Sequence, residues 1–148
     1  MTRRRIGTAQ MQTGTYVLVF NLGEPISNRL GTFCGRYCYV GSAKGPGGLR
    51  ARLSRHLRRG KPLRWHIDLL TNSTSFSAVC VYASAQASEC RVARKLSLHY
   101  AGHPRFGCSD CRCPTHLFMV QDPPRLEVLM DRMGLRKLDL PPLSSSKG

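Results

Sequence analysis

The sequence predicts an α+β domain: a small three- or four-stranded, mainly antiparallel sheet flanked by helices. Three observations predict it. Residues 14–20 (GTYVLVF) and 36–42 (RYCYVGS) are β-branched and aromatic runs bounded by turn residues, the signature of strands. Leu49, Leu53 and Leu57 are spaced four apart, which at about 100° per residue forms one apolar stripe on a helix. Strand-like and helix-like stretches follow one another in the order β, β, α, α, β, α, β, α without an internal repeat, a layout that suits a sheet with helices on its flanks.

Residues 1–12 are expected to form a basic flexible arm. Residues 14–20 are apolar without interruption and predict a buried strand. Residues 21–33 carry turn residues at both ends and predict a long hairpin connection that protrudes toward substrate. The strands it joins are then antiparallel. The sequence KGPGG at 44–48 breaks the chain, and a helix over 49–59 ends at Gly60. A second helix is expected over 63–70, a strand over 76–82, and a third helix from Ser84 or Ala85 to Tyr100, stopped by Gly102 and Pro104. After a cysteine-rich loop at 107–114 come a strand over 115–120 and a helix from Pro123 to Met133. One domain over 13–121 is therefore expected, with a C-terminal helix segment at 122–138 packed on it and a Pro/Ser-rich disordered tail at 139–148.

The chain has 148 residues, which suits one core. No apolar run approaches the ~20 residues of a membrane helix, and no apolar segment follows the basic start, so no membrane partner and no secretory signal are expected. Seven cysteines, an odd number, favour reduced thiols and a cytoplasmic location over a disulfide framework. Lys and Arg number 23 against 8 Asp and Glu, a formal +15, which attracts polyanions and makes nucleic acid the default partner. An inert basic surface is the plainer alternative. Seven of these basic residues, Lys44, Arg50, Arg55, Arg58, Arg59, Lys61 and Arg64, cluster at and just after the glycine-rich turn. They are candidate nucleic-acid contacts presented beside whatever that turn builds.

Periodicity places single side chains. On the 49–59 helix, Arg52 and His56 border the leucine stripe, while Arg50 and Arg58 face solvent. A guanidinium at that border can hold a phosphate bidentately, or its stem can merely cover core surface. On the third helix, Glu89 falls at the centre of the face formed by Ala85, Val92, Ala93, Leu96 and Tyr100. A carboxylate there needs a metal or an ion-pair partner such as Arg52. In 36–42, Tyr37, Tyr39 and Gly41 share one face and Cys38 and Val40 the other. Tyr16 shares a face with Leu18, so adjacent strands can bring the Tyr16 and Tyr39 phenols together, with Gly41 allowing close approach of a ligand.

Taken together, Gly14-Thr15-Tyr16, Tyr39-Val40-Gly41, Arg52 with His56, and Glu89 resemble the pattern of the GIY-YIG nucleases. The stretch CYVGSAKGPGGLRARLSRH (38–56), Trp65 to Asp68, and Asp110 to His116 resemble one branch of that superfamily, common in archaea and found alone or fused to endonuclease III-type glycosylases. The resemblance covers roughly residues 13–120. It implies a GIY-YIG-like fold and a Mg2+- or Mn2+-dependent endonuclease acting on DNA, with RNA and branched or damaged DNA as alternatives. It also implies a functional link to a DNA-repair glycosylase. Tyr16 and Tyr39 would be the base and its orienting partner, in an order left open. Glu89 would hold the metal, Arg52 would stabilise charge on the phosphate, and His56 would position phosphate or water. Ser42 stands where some relatives have lysine, which leaves Lys44 as the substitute.

Cys108, Cys111, Cys113 and His116 offer four soft ligands for zinc in one loop. The alternatives are reduced cysteines that only pack the loop, or a loop whose Asp110 or His116 extends the nuclease site. His66 and Asp68 are accessory candidates of the same kind. Two other functions compete with the nuclease: a non-catalytic nucleic-acid-binding module on the same fold, and a zinc-stabilised interaction domain. Oligomeric state is left open.

Overall fold

The computed structural model describes residues 13–107 and 112–139. The order of elements is β1 (Gly14–Asn28), β2 (Gly31–Ala43), α1 (Gly48–Leu57), α2 (Asp68–Thr71), β3 (Phe76–Ser84), α3 (Glu89–Ser97), β4 (Leu117–Met119), α4 (Pro123–Arg132) and β5 (Arg136–Leu138). The class is α+β, as expected, but the sheet has five strands in the order β4-β2-β1-β3-β5 rather than three or four. Every pairing is antiparallel.

The alternation read from the strands decides the layers. Tyr16, Leu18, Phe20, Tyr37 and Tyr39 point to one side and pack under Leu49 and Leu53 of α1 and Leu70 of α2. Val17, Val19, Cys38 and Val40 point to the other and pack under Val92, Ala93 and Leu96 of α3 and Leu126 and Met130 of α4. Both faces are thus covered, which explains why residues 14–20 read as an uninterrupted apolar run. Leu49 and Leu53 have no exposed surface, and burying each contributes about 1.5–3 kcal/mol.

Four expectations are corrected. Residues 21–33 are not a loop: β1 continues to Asn28, β2 starts at Gly31, and a register shift between Leu22 and Ile26 marks an irregularity within one long ribbon. The ribbon's outer residues are largely exposed, so its pairing is held by backbone bonds that hydrophobic patterning does not report. The helix expected over 63–70 shrinks to Asp68–Thr71. The backbone N–H groups of Arg64 and Trp65 donate to the Asp68 carboxylate at 2.8 and 2.9 Å, forming a turn in place of a first helical turn. The third helix starts at Glu89, not at 84 or 85. The Ser84 hydroxyl accepts from the N–H groups of Gln86 and Ala87, closing a turn after β3, and Ser88 is the true cap, accepting from Arg91 N–H. The fifth strand, β5, lies in the basic segment after α4 and pairs with residues 81–83 of β3.

Candidate active site

α1 enters directly from the glycine-rich turn. Gly47, with φ of 80°, occupies the left-handed conformation at its N-cap, a backbone state that L side chains seldom adopt. This sharp entry sets α1 across the strand ends with Leu49, Leu53 and His56 buried and Arg52 at the edge. The edge opens into a cleft of about 370 Å³ lined by Tyr39, Gly41 and Ser42 of β2, Lys44 and Gly45 of the turn, Arg52, Arg64, Trp65, His66, Glu89 and Gly107. Among these described lining residues Glu89 is the one acid, set against Lys44, Arg52 and Arg64.

The cleft sorts the expected catalytic residues into two layers. Tyr39, Arg52 and Glu89 line it. Tyr16 and His56 do not: they are 0% and 1% exposed and lie behind it. The Tyr16 hydroxyl meets His56 Nε2 at 2.5 Å, and the Tyr16 and Tyr39 ring centroids are 6.5 Å apart. The expectation that His56 reaches phosphate or water directly is therefore corrected, because its ring contacts Tyr16 instead. Its Nδ1 is buried with no hydrogen-bond partner among the described residues. Gly41 pairs with Tyr16 across the strands, and a methyl group at Gly41 would overlap the Tyr16 hydroxyl. Glycine is thus required there for the phenol's own position.

Burial holds the Tyr16 phenol well above its ordinary pKa range and the neighbouring Tyr39 adds to this, while the Arg52 guanidinium pulls the other way. Burial also raises Tyr39, with Glu89 adding to it and Arg52 opposing. Burial, reinforced by Arg52, drives His56 down to about 3, so the imidazole is neutral at physiological pH. Replacing Tyr16 by Phe removes the hydroxyl and leaves His56 Nε2 buried and unpaired. We expect this to cost about 1–3 kcal/mol, measured as a lowered urea midpoint with an unchanged slope; a midpoint equal to wild type would show that the pair carries no stability.

Arg52 is held by Trp65, whose ring lies 4.4 Å from the Arg52 guanidinium carbon and 4.4 Å from that of Arg55, within cation–π range. Trp65 belongs to the turn that Asp68 organises. Sequence reasoning passed over it as a site residue, although a tryptophan within an arginine-rich stretch was the available signal.

Glu89 is the first residue of α3, not the centre of an apolar helix face; that placement assumed a helix beginning four residues too early. Its side chain is 30% exposed, and one oxygen lies 3.0 Å from His116 Nδ1. Burial pushes its pKa up, but His116, Ser42 and Lys44 outweigh that and hold the carboxyl below its usual value. A half-exposed carboxylate beside the Ser42 hydroxyl and the Tyr39 phenol is a hard oxygen donor set. Mg2+ or Mn2+ suits such donors and is commonly bound by one or two carboxylates plus substrate phosphate.

The remaining candidates divide. His66 lines the cleft and its Nδ1 accepts the Gly107 N–H at 3.0 Å, so the neutral ring carries its proton on Nε2. Asp68 does not extend the site: its side chain is 0% exposed and bonds Arg55 Nη1 at 2.9 Å. Arg55 is thereby committed to Asp68 and to the Pro62 carbonyl, and its expected nucleic-acid contact is corrected. Lys61 is likewise buried, donating to the carbonyls of His56 and Arg58 and to Asn72. It caps the last turn of α1, and burial, aided by the surrounding arginines, lowers its pKa to about 8. Arg59 donates to the Phe76 carbonyl at 2.7 Å. Lys44, Arg50, Arg58 and Arg64 are exposed. Of the loop residues, Cys113 and His116 are buried; Cys108, Asp110 and Cys111 lie outside the described residues. Among the described residues no helix is long and apolar enough to cross a membrane.

The family described as Domain of unknown function DUF123 matches the chain over residues 15–136. No curated protein and no solved structure matches it.

Proposed function

The chain belongs to the DUF123 family, and from that premise we propose that it is a divalent-metal-dependent endonuclease of the GIY-YIG type, hydrolysing phosphodiester bonds in DNA in preference to RNA. One observation carries the reading: Glu89, Arg52 and Tyr39, drawn from three separate elements, line a single basic cleft. A phosphate entering the cleft meets Arg52, oriented by Trp65, with Lys44 and Arg64 adding positive charge at the walls. Planar guanidinium geometry suits a phosphate whose charge grows in the transition state. When bound at Glu89, Mg2+ or Mn2+ supplies Lewis-acid charge to the phosphate and to the attacking water.

Tyr39 is the phenol that lines the cleft, so it is the one placed to orient or deprotonate a water. Tyr16 stands behind it, its hydroxyl paired with the neutral His56. Because burial raises both phenols, each holds its proton at neutral pH unless positive charge is near, and Arg52 is the resident cation that favours its release. His66 donates from Nε2, fitting it to hold a phosphate oxygen.

The test is incubation of supercoiled plasmid, branched DNA and RNA with the protein in Mg2+ or Mn2+. Wild type is expected to cut, and Arg52→Ala to cut about 10²–10³-fold more slowly, the usual loss for one stabilising donor. Equal cleavage by Arg52→Ala would overturn the site. Binding that weakens steeply with salt, without cleavage of any substrate, would make the domain a nucleic-acid-binding module instead.

A further inference from the structure

A cluster of soft ligand atoms adjoins the cleft residue Glu89. Cys90, the second residue of α3, and Cys113 and His116, from the segment leading into β4, bring their ligand atoms to within 4.8 Å of one another. Cys113 and His116 are buried and Cys90 is half-buried. Around a tetrahedral zinc, with Zn–S of about 2.3 Å and Zn–N of about 2.0–2.1 Å, ligand atoms sit roughly 3.5–3.8 Å apart. The group is therefore near the spacing that a tetrahedral ion requires. Two thiolates with an imidazole form a soft donor set, unlike the oxygen set at Glu89, and soft sets select zinc over magnesium.

We propose that Cys90, Cys113 and His116 hold a structural zinc ion that pins α3 to the segment before β4. The ligand set differs from the loop-only group expected from sequence: Cys90 comes from a distant helix, and its spacing gives no hint of it. Water completes the fourth position. His116 presents Nδ1 to Glu89 at 3.0 Å, which assigns Nε2 to the metal. A metal on one ring nitrogen and a carboxylate on the other is the usual way such histidines are fixed in tautomer and orientation. Glu89 adjoins Cys90 in sequence, so the same ion positions both ends of that hydrogen bond.

The experiment uses the full chain under reducing conditions. Elemental analysis of protein purified without added metal should find about one zinc per chain. Replacement of the zinc by Co2+ should produce the thiolate-to-cobalt charge-transfer absorption, which oxygen ligands do not give. Cys90→Ser should lower that absorption by the share of one thiolate, about half where two thiolates hold the ion, and Cys113→Ser should do the same. Cys34→Ser, at an exposed position on the ribbon, should leave it unchanged and serves as the folded control. Absence of the charge-transfer band in wild type, or a band of full intensity in Cys90→Ser, would overturn the proposal. Neither readout involves cleavage, so the zinc site stands or falls separately from the nuclease reading.

Discussion

Glu89→Gln should abolish Mg2+-dependent cleavage while leaving the protein folded. The amide keeps the side chain's size and can still accept from His116, so α3 and its neighbours are undisturbed. What disappears is the negative charge, and among the described residues lining the cleft nothing replaces it. A neutral oxygen is a poor ligand for a hard dication. Single-turnover cleavage is expected to fall by at least about 10²–10³-fold, the scale of losing one centre of transition-state charge stabilisation. Metal-free binding to DNA should be retained or tightened, because the acid repels phosphate. Fluorescence anisotropy in chelator paired with single-turnover cleavage in Mg2+ separates the two effects. Wild-type cleavage by this variant would remove Glu89 from the mechanism.

Asp68→Ala should be the most destabilising single exchange near the site. The carboxylate is fully buried and accepts from the Arg55 guanidinium and from two backbone N–H groups. Removing it strands a largely buried cation and two donors, a loss of about 3–5 kcal/mol that should appear as a large drop in the denaturant midpoint. The loss should also depend on pH. Burial pushes the Asp68 pKa up, but Arg55 and the N–H groups of Trp65 and Arg64 outweigh it and hold it below the usual value. Its stabilising contribution is then complete above the unfolded pKa of about 3.9 and fades as pH falls through the lower folded pKa. The stability gap between wild type and Asp68→Ala should be constant near neutrality and narrow only below about pH 4. A gap that narrows above pH 6 would contradict this account of the carboxylate.

The body of the fold was legible where side-chain pattern decides structure. Residues 14–20 and 36–42 are strands, and the alternation of Tyr39 against Cys38 and Val40 separates the two cores as observed. It was illegible where backbone pairing decides. Residues 21–28 carry Asn21, Gly23, Pro25 and Asn28 and read as a loop, yet they continue a ribbon. Arg136–Leu138 is too short and too basic to announce a strand. The site shows the same division. Arg52 follows from the spacing of Leu49 and Leu53 on α1. Glu89 was singled out by a helix wheel begun too early; its place at the cleft comes from the turn at Ser84 and the cap at Ser88, which stop β3 and aim α3. The roles of Asp68, Arg55 and Lys61 depend on how the connection between α1 and α2 folds back on α1, and no periodicity records that.

The sheet's outer margins have a consequence for behaviour at high concentration. Both flanking strands, β4 and β5, are three residues long and pair only with residues 37–39 of β2 and 81–83 of β3. The stretch of margin that β5 forms is short, and Arg136 and Lys137 place positive charge along it. Short, charged margins are how natural sheets discourage strand-to-strand association. Positive charge on Arg136 and Lys137 therefore works against copies of the chain zipping together along the margin of β5.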